Sequence, residues 1–154
     1  MLKLKNLYFF AVAMLFFAPS ILFAQTGDKF CGHWFTKGNE SVVEIYQTDD
    51  KYFGKIVWLE KPNDKENGKP KIDKHNPDDS KKNDSIIGLV LLKDFKSKNK
   101  SMLDNGTVYD PNSGKTYSGN IKLKKDKLKL RGFIGISLFG RTETWEKCHK
   151  IPTN

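Results

Sequence analysis

Three histidines, His33, His75 and His149, stand in unrelated contexts and at none of the spacings that bring imidazoles together on one metal ion. They read as solvated or hydrogen-bonded side chains. Oxygen ligands do cluster, at Asp73, Asn76, Asp78, Asp79 and Asp84. The cluster lacks the spacing and central glycine of an EF-hand, so it reads as a loop of Asx turns and not as a calcium site. Gly114-Lys115-Thr116 looks like the end of a phosphate-binding loop, but Tyr109 stands where the leading glycine belongs and a strand pattern follows instead of a helix. No serine lies in a G-x-S-x-G elbow, and Ser137, in Gly135-Ile136-Ser137-Leu138, has no neighbouring base. The polar side chains left to share a cavity are Asp110, Lys115, Tyr117, Arg131, Arg141 and Glu143. Structural duties compete for them: Asp110 suits a turn cap, and Arg141 with Glu143, on the face of Trp145, suits an ion pair. The pattern assigns no catalytic residue, no metal and no cofactor.

The elements that must position these residues are strands. From Tyr117 the chain alternates, with Tyr117, Gly119, Ile121 and Leu123 on one face against Ser118, Asn120, Lys122 and Lys124, and Leu128 and Leu130 repeat the pattern against Lys127, Lys129 and Arg131. Asp110-Pro111-Asn112-Ser113-Gly114 and Lys124-Lys125-Asp126 supply the reversals. Upstream, Phe30 to Phe35 reads as a first strand, Ser41 to Gln47 as a second and Tyr52 to Leu59 as a third, the last with Tyr52, Gly54, Ile56 and Trp58 on one face. Glu60 to Asp84 is one long polar loop, Ser85 to Phe95 turns into a fourth strand, and Lys96 to Asn105 reads as a polar loop. About eight strands with short connections predict an all-β antiparallel meander, and closure into a barrel removes its exposed edges.

At the start, Lys3 and Lys5 precede an apolar run from Leu7 to Phe23, and Ala24-Gln25 follows. This is the plan of a secretory signal peptide over residues 1–24, with cleavage after Ala24 or Ser20. The remaining 25–154, about 130 residues, suffice for one domain. The expected address is periplasmic or secreted, and soluble after cleavage. In an oxidising compartment Cys31 and Cys148, near opposite ends of that domain, predict a disulfide across the closing strands. The formal net charge of +9 falls to +7 without the two leader lysines. Lysine supplies nearly all of it, because Arg131 and Arg141 are the chain's two arginines. Nucleic-acid grooves favour arginine forks and exposed aromatics, so no nucleic acid is expected, and weak contact with an anionic envelope surface fits better.

Several segments in order, Gly32-His33-Trp34, Val43-Glu44-Ile45-Tyr46, Gly54-Lys55-Ile56-Val57-Trp58-Leu59, Asn76-Pro77-Asp78, Val108-Tyr109-Asp110-Pro111, Arg131-Gly132-Phe133 and Gly140-Arg141-Thr142 with Trp145, resemble the exported bacterial family known as domain of unknown function 2147. The resemblance implies a calycin, or lipocalin-like, barrel and no established activity. Many relatives carry a cysteine pair where this chain has Gln47 and Phe53, and a tryptophan where it has Leu103. Gly32-x-Trp34 is also similar to the signature by which lipocalins close one barrel end, which implies Arg141 laid over the Trp34 indole.

The function that follows is binding of a small apolar or amphipathic ligand in the lumen, lined by Ile56, Trp58, Tyr117, Gly119, Ile121, Leu123, Leu128 and Leu130. Glycines at 54, 119 and 132 on the inward faces would leave the cavity, with the 60–84 loop as a mobile cover. The alternative is an envelope interaction module with a filled barrel, acting through its lysine-rich face or the 60–84 loop.

Overall fold

Two-residue turns set the architecture. Thr48 pairs with Lys51 across Asp49-Asp50, Asn99 with Met102 across Lys100-Ser101, and Lys124 with Lys127 across Lys125-Asp126. Asp49 and Lys125 take the positive φ, 55° and 56°, that such a tight reversal demands. In the computed structural model, which describes residues 28–153, the strands are β1 Gly32–Phe35, β2 Ser41–Thr48, β3 Lys51–Leu59, β4 Val90–Asn99, β5 Met102–Asp110, β6 Lys115–Lys124, β7 Lys127–Phe133 and β8 Arg141–Lys147. Each pairs antiparallel with the next, and β1 pairs with β8 through Trp34–Lys147 and Phe35–Glu146, so the meander closes into a barrel. The expected signal peptide, 1–24, lies outside the described residues.

Lys96 to Asn105 is not the polar loop its composition suggests. It forms the facing ends of β4 and β5, separated only by Lys100-Ser101, and Leu103 within it is fully buried. The residues between are exposed, and an exposed strand end reads like a loop.

The core is the barrel interior: Trp34, Val43, Ile45, Ile56, Leu92, Phe95, Leu103, Ile121, Leu128, Leu130 and Trp145 pack as one cluster. Three bulges decide which side chains reach it. On β3, Val43 pairs with Ile56 but Val42 with Trp58, so Val57 is an extra residue and the alternation slips by one. Leu59 thereby joins the core and Trp58 leaves it. On β4, Tyr52 and Gly54 of β3 face Phe95 and Leu92, three residues apart, with Asp94 at φ 60° absorbing the extra step. On β5, Leu103 and Gly106 stand three apart where Ile121 and Gly119 of β6 stand two apart, with Asn105 at φ 58°.

Candidate functional site

The two barrel ends are built differently. At the end of the tight turns, the N-terminal segment folds inward as a plug. Phe30 is buried, its amide donates to Asp28 Oδ1 (2.9 Å), and Tyr52 Oη donates to Asp28 Oδ2 in a short hydrogen bond. Trp34 Nε1 donates to the Phe30 carbonyl (2.8 Å). The cation over the Trp34 ring is Lys147, with Nζ 4.2 Å from the centroid, donating also to the Cys31 carbonyl (2.9 Å). Arg141 does not take this part. It pairs with Gly132 at the far end of β8, six residues and roughly 20 Å of strand from Lys147. Gly32 explains its own place in Gly32-x-Trp34: at φ 114° it turns the chain, and a Cβ there would sit 2.9 Å from Lys147 Nζ. Burial holds the Lys147 ammonium below the usual lysine range, against an opposing influence from the Cys31 side chain.

Cys31 and Cys148 are free thiols in this structure, without the expected disulfide. The Cys148 amide donates to the His33 carbonyl (2.9 Å), extending the β1–β8 pairing one step and setting Cys148 beside His33, two residues along from Cys31. Its thiol turns instead to the Lys150 carbonyl at 3.3 Å. Burial pushes both thiol pKa values up.

The other end carries the long β3–β4 connection, residues 60–89, as a laced lid. Asn63 bridges to Pro70 and Ile72 to Ser85. The returning chain bonds to β3 beside its bulge, through Gly88 N to Ile56 O (2.7 Å) and Ile56 N to Leu89 O (3.0 Å), and Ile86 enters the core. Asp73 is fully buried. Its Oδ1 accepts from Tyr109 Oη and its Oδ2 from Asn76 Nδ2, each at 2.7 Å. That network ties the lid to β5, and the burial and hydrogen bond push the Tyr109 phenol up to about 12. Asp78 Oδ1 receives the Ser80 amide at 3.0 Å and Asn76 Oδ1 the Asp78 amide at 2.9 Å, the Asx turns expected of this stretch. Among the described residues no group of side chains is arranged to hold a metal ion.

Of the expected lumen residues, Ile56, Ile121, Leu128 and Leu130 lie in the core and Leu123 packs against it. Trp58 does not line the lumen. The bulge at Val57 turns it outward, where its ring meets Phe35 edge to face at 6.3 Å. Tyr117 is half-buried near the lid end, beside Gly132. The glycine cavity is also corrected. Gly106, Gly119 and Gly132 are directly paired in a row across β5, β6 and β7, and the Phe95 ring fills the space above the first two. A Cβ on Gly119 would stand 2.9 Å from Phe95 Cζ and 2.7 Å from Val108 Cγ2. Leu92 does the same at Gly54, 2.7 Å away.

The polar candidates do not converge. Asp110 caps its turn, accepting from the Asn112 amide (3.0 Å) and Ser113 Oγ (2.7 Å), and Lys115 is exposed at the same hairpin. Arg131 points outward and binds the β7–β8 loop, with Nε to Ser137 O (2.6 Å) and Nη2 to Leu138 O (3.0 Å). Glu143 accepts from Trp145 Nε1 at 3.2 Å, and no ion pair joins it to the exposed Arg141 among the described residues.

A family described as uncharacterized protein conserved in bacteria (DUF2147) matches residues 32–147. The chain belongs to this family. The match spans β1 to β8 and thus the whole barrel of this DUF2147 member. Among solved structures, the barrel is similar to protein HP1028 from the human pathogen Helicobacter pylori, described as belonging to the lipocalin family, at 25% identity over 77% of this chain and 82% of that one, with a TM-score of 0.66. No curated protein matches the chain.

Proposed function

We propose that this DUF2147 barrel is an exported interaction module of the cell envelope that works through its outer surface, with its interior filled by its own side chains. The observation that carries the reading is the seat of Phe95. Its ring, fully buried, occupies the inner face of two strands where a luminal ligand would need room. Leu92 and Leu103, both buried in the same cluster, fill more of the interior.

The test is a solvatochromic fatty-acid-like probe titrated into wild type and Phe95→Ala. Wild type binds no probe saturably, whereas the variant, relieved of a phenyl ring, gains a site, as apolar cavities of that size do. Saturable one-to-one binding to wild type would replace this reading with a second, binding of a small apolar or amphipathic ligand in the lumen. The likeness to a lipocalin family protein favours that second reading in general, and so does Gly132, whose inner face meets only Tyr117, 3.6 Å from a would-be Cβ.

A further inference from the structure

The β7–β8 loop breaks the rule that bulky aliphatic side chains avoid water. Ile134, Ile136 and Leu138 are 73%, 58% and 79% exposed, three in five consecutive residues. Scattered exposed aliphatics are ordinary, but a run on one protruding loop marks a contact surface. Part of the loop's backbone is satisfied from within: Arg131 donates to the carbonyls of Ser137 and Leu138, and the Gly140 amide bonds to Ser137 O at 3.3 Å. A loop so arranged can leave water without stranding those carbonyls, the condition for entering an apolar phase.

Charge identifies the phase. Arg131 lies on the outer face of β7, alternating with the core residues Leu128 and Leu130, so the loop it clamps sits toward that outer face. The same face carries Lys127 and Lys129, and β6 sets Lys124 and Lys122 directly opposite them. Like charges in direct cross-strand register are unfavourable in the free protein. Among the described residues only Lys127 of these four is relieved by an ion pair, to Glu146 at 2.6 Å. At the other end of β7 from this loop, by the Lys125-Asp126 turn, a cleft of about 490 Å³ continues the basic face among Lys124, Lys125, Lys127, Lys129 and Lys147, with Asp126 and Glu146 as its acids. From Lys127 to Thr142 the sequence has four cations and no acid, and Arg141, at the loop's exit, has no ion-pair partner among the described residues.

We infer that the outer face of β6 and β7, together with the β7–β8 loop, is a docking surface for an anionic lipid bilayer. The aliphatic tip enters the headgroup boundary beside Arg131 and Arg141, and the barrel lies with its outer β6–β7 face against the bilayer, so that the lysines farther along the strands meet lipid phosphates. This rests on the envelope-module reading and names its partner. An anionic polysaccharide would be held by charge alone and would not need the tip, and a second copy of the chain would present the same cations and repel.

The experiment uses the exported protein, its N-terminus read by mass spectrometry so that the Leu7–Phe23 run is known to be absent. Co-sedimentation is measured with vesicles of phosphatidylcholine alone and of phosphatidylcholine and phosphatidylglycerol in equal parts. Wild type partitions onto the anionic vesicles, less so as salt rises. Ile134→Ser, Ile136→Ser and Leu138→Ser combined lower the partition constant at least about tenfold, and share its N-terminus. Lys122→Gln with Lys129→Gln weakens binding and flattens its salt dependence. Equal binding of wild type and the triple serine variant overturns the proposal, as does failure of wild type to bind. So does sedimentation showing a wild-type dimer and a monomeric triple variant, which would make the loop a contact between copies. Such a failure, with the lumen still closed to the apolar probe, would leave the packed module in place with a different partner.

Discussion

The ring of Phe95 lies against Gly106 so closely that a Cβ on the glycine would collide with it. Phe95 is fully buried and hemmed by the barrel, so the ring has nowhere to move. Gly106→Ala therefore overpacks the core and destabilises by about 1–3 kcal/mol. Gly132→Ala, in the same glycine row but with a would-be Cβ in ordinary contact with Tyr117, changes stability by less than about 1 kcal/mol. Urea denaturation midpoints of the two variants check the difference. Equal losses would mean that Phe95 is not the filler.

The cation at the closed end makes a second comparison. Lys147→Ala removes the ammonium over Trp34 and its bond to the Cys31 carbonyl, and we expect a loss of about 1–2 kcal/mol. Arg141→Ala, on an exposed rim position, stays within about 0.5 kcal/mol of wild type. The reverse order would return the closing role to Arg141.

With both cysteines free, thiol titration of the denatured, unreduced protein yields two thiols per chain. In the native protein Cys31, half-exposed, reacts before the buried Cys148. Both are slow at neutral pH, because burial raises their pKa values and thins the thiolate population. Finding no titratable thiol would restore the cross-strand disulfide.

The legible part of this fold was its regular part. Strict alternation in β6 and β7 and the turn residues at 110–114 and 124–126 carry the meander in plain view, and Ile121, Leu128 and Leu130 fall in the core as their spacing predicts. What could not be read was the phase after a bulge. One unpaired residue, Val57, reverses every later assignment on its strand, so Trp58 reads as inward and packs outside. Leu92 and Phe95, three apart, carry no period-two signal although they fill the lumen, because a non-glycine residue at positive φ, Asp94, sets their spacing. The choice between Lys147 and Arg141 over Trp34 depends on how β8 meets β1, a long-range register that composition does not encode. The buried Asp73 hid among acidic neighbours, since nothing in Asp73 to Asp84 distinguishes the carboxylate that meets Tyr109 from those that cap turns.

That carboxylate supplies the last prediction. Asp73 and Tyr109 join the lid to β5, and that bond is lost if either is changed, although Asp73 Oδ2 keeps Asn76. Tyr109→Phe leaves Asp73 Oδ1 buried without a donor and destabilises by about 1–3 kcal/mol. The pH dependence has a definite sign. The folded-state phenol titrates at about 12, above the usual value near 10, so between those limits the folded protein holds a proton that the unfolded chain has released. Its contribution is complete below pH 10 and is lost as pH rises toward 12. Tyr52, raised by burial and its bond to Asp28, acts in the same direction at the opposite end of the barrel. Stability measured from pH 9 to 12 should therefore fall less steeply in Tyr109→Phe than in wild type, and less steeply again with Tyr52→Phe added. Parallel curves for wild type and both variants would show that neither phenol is held in its protonated form by the fold.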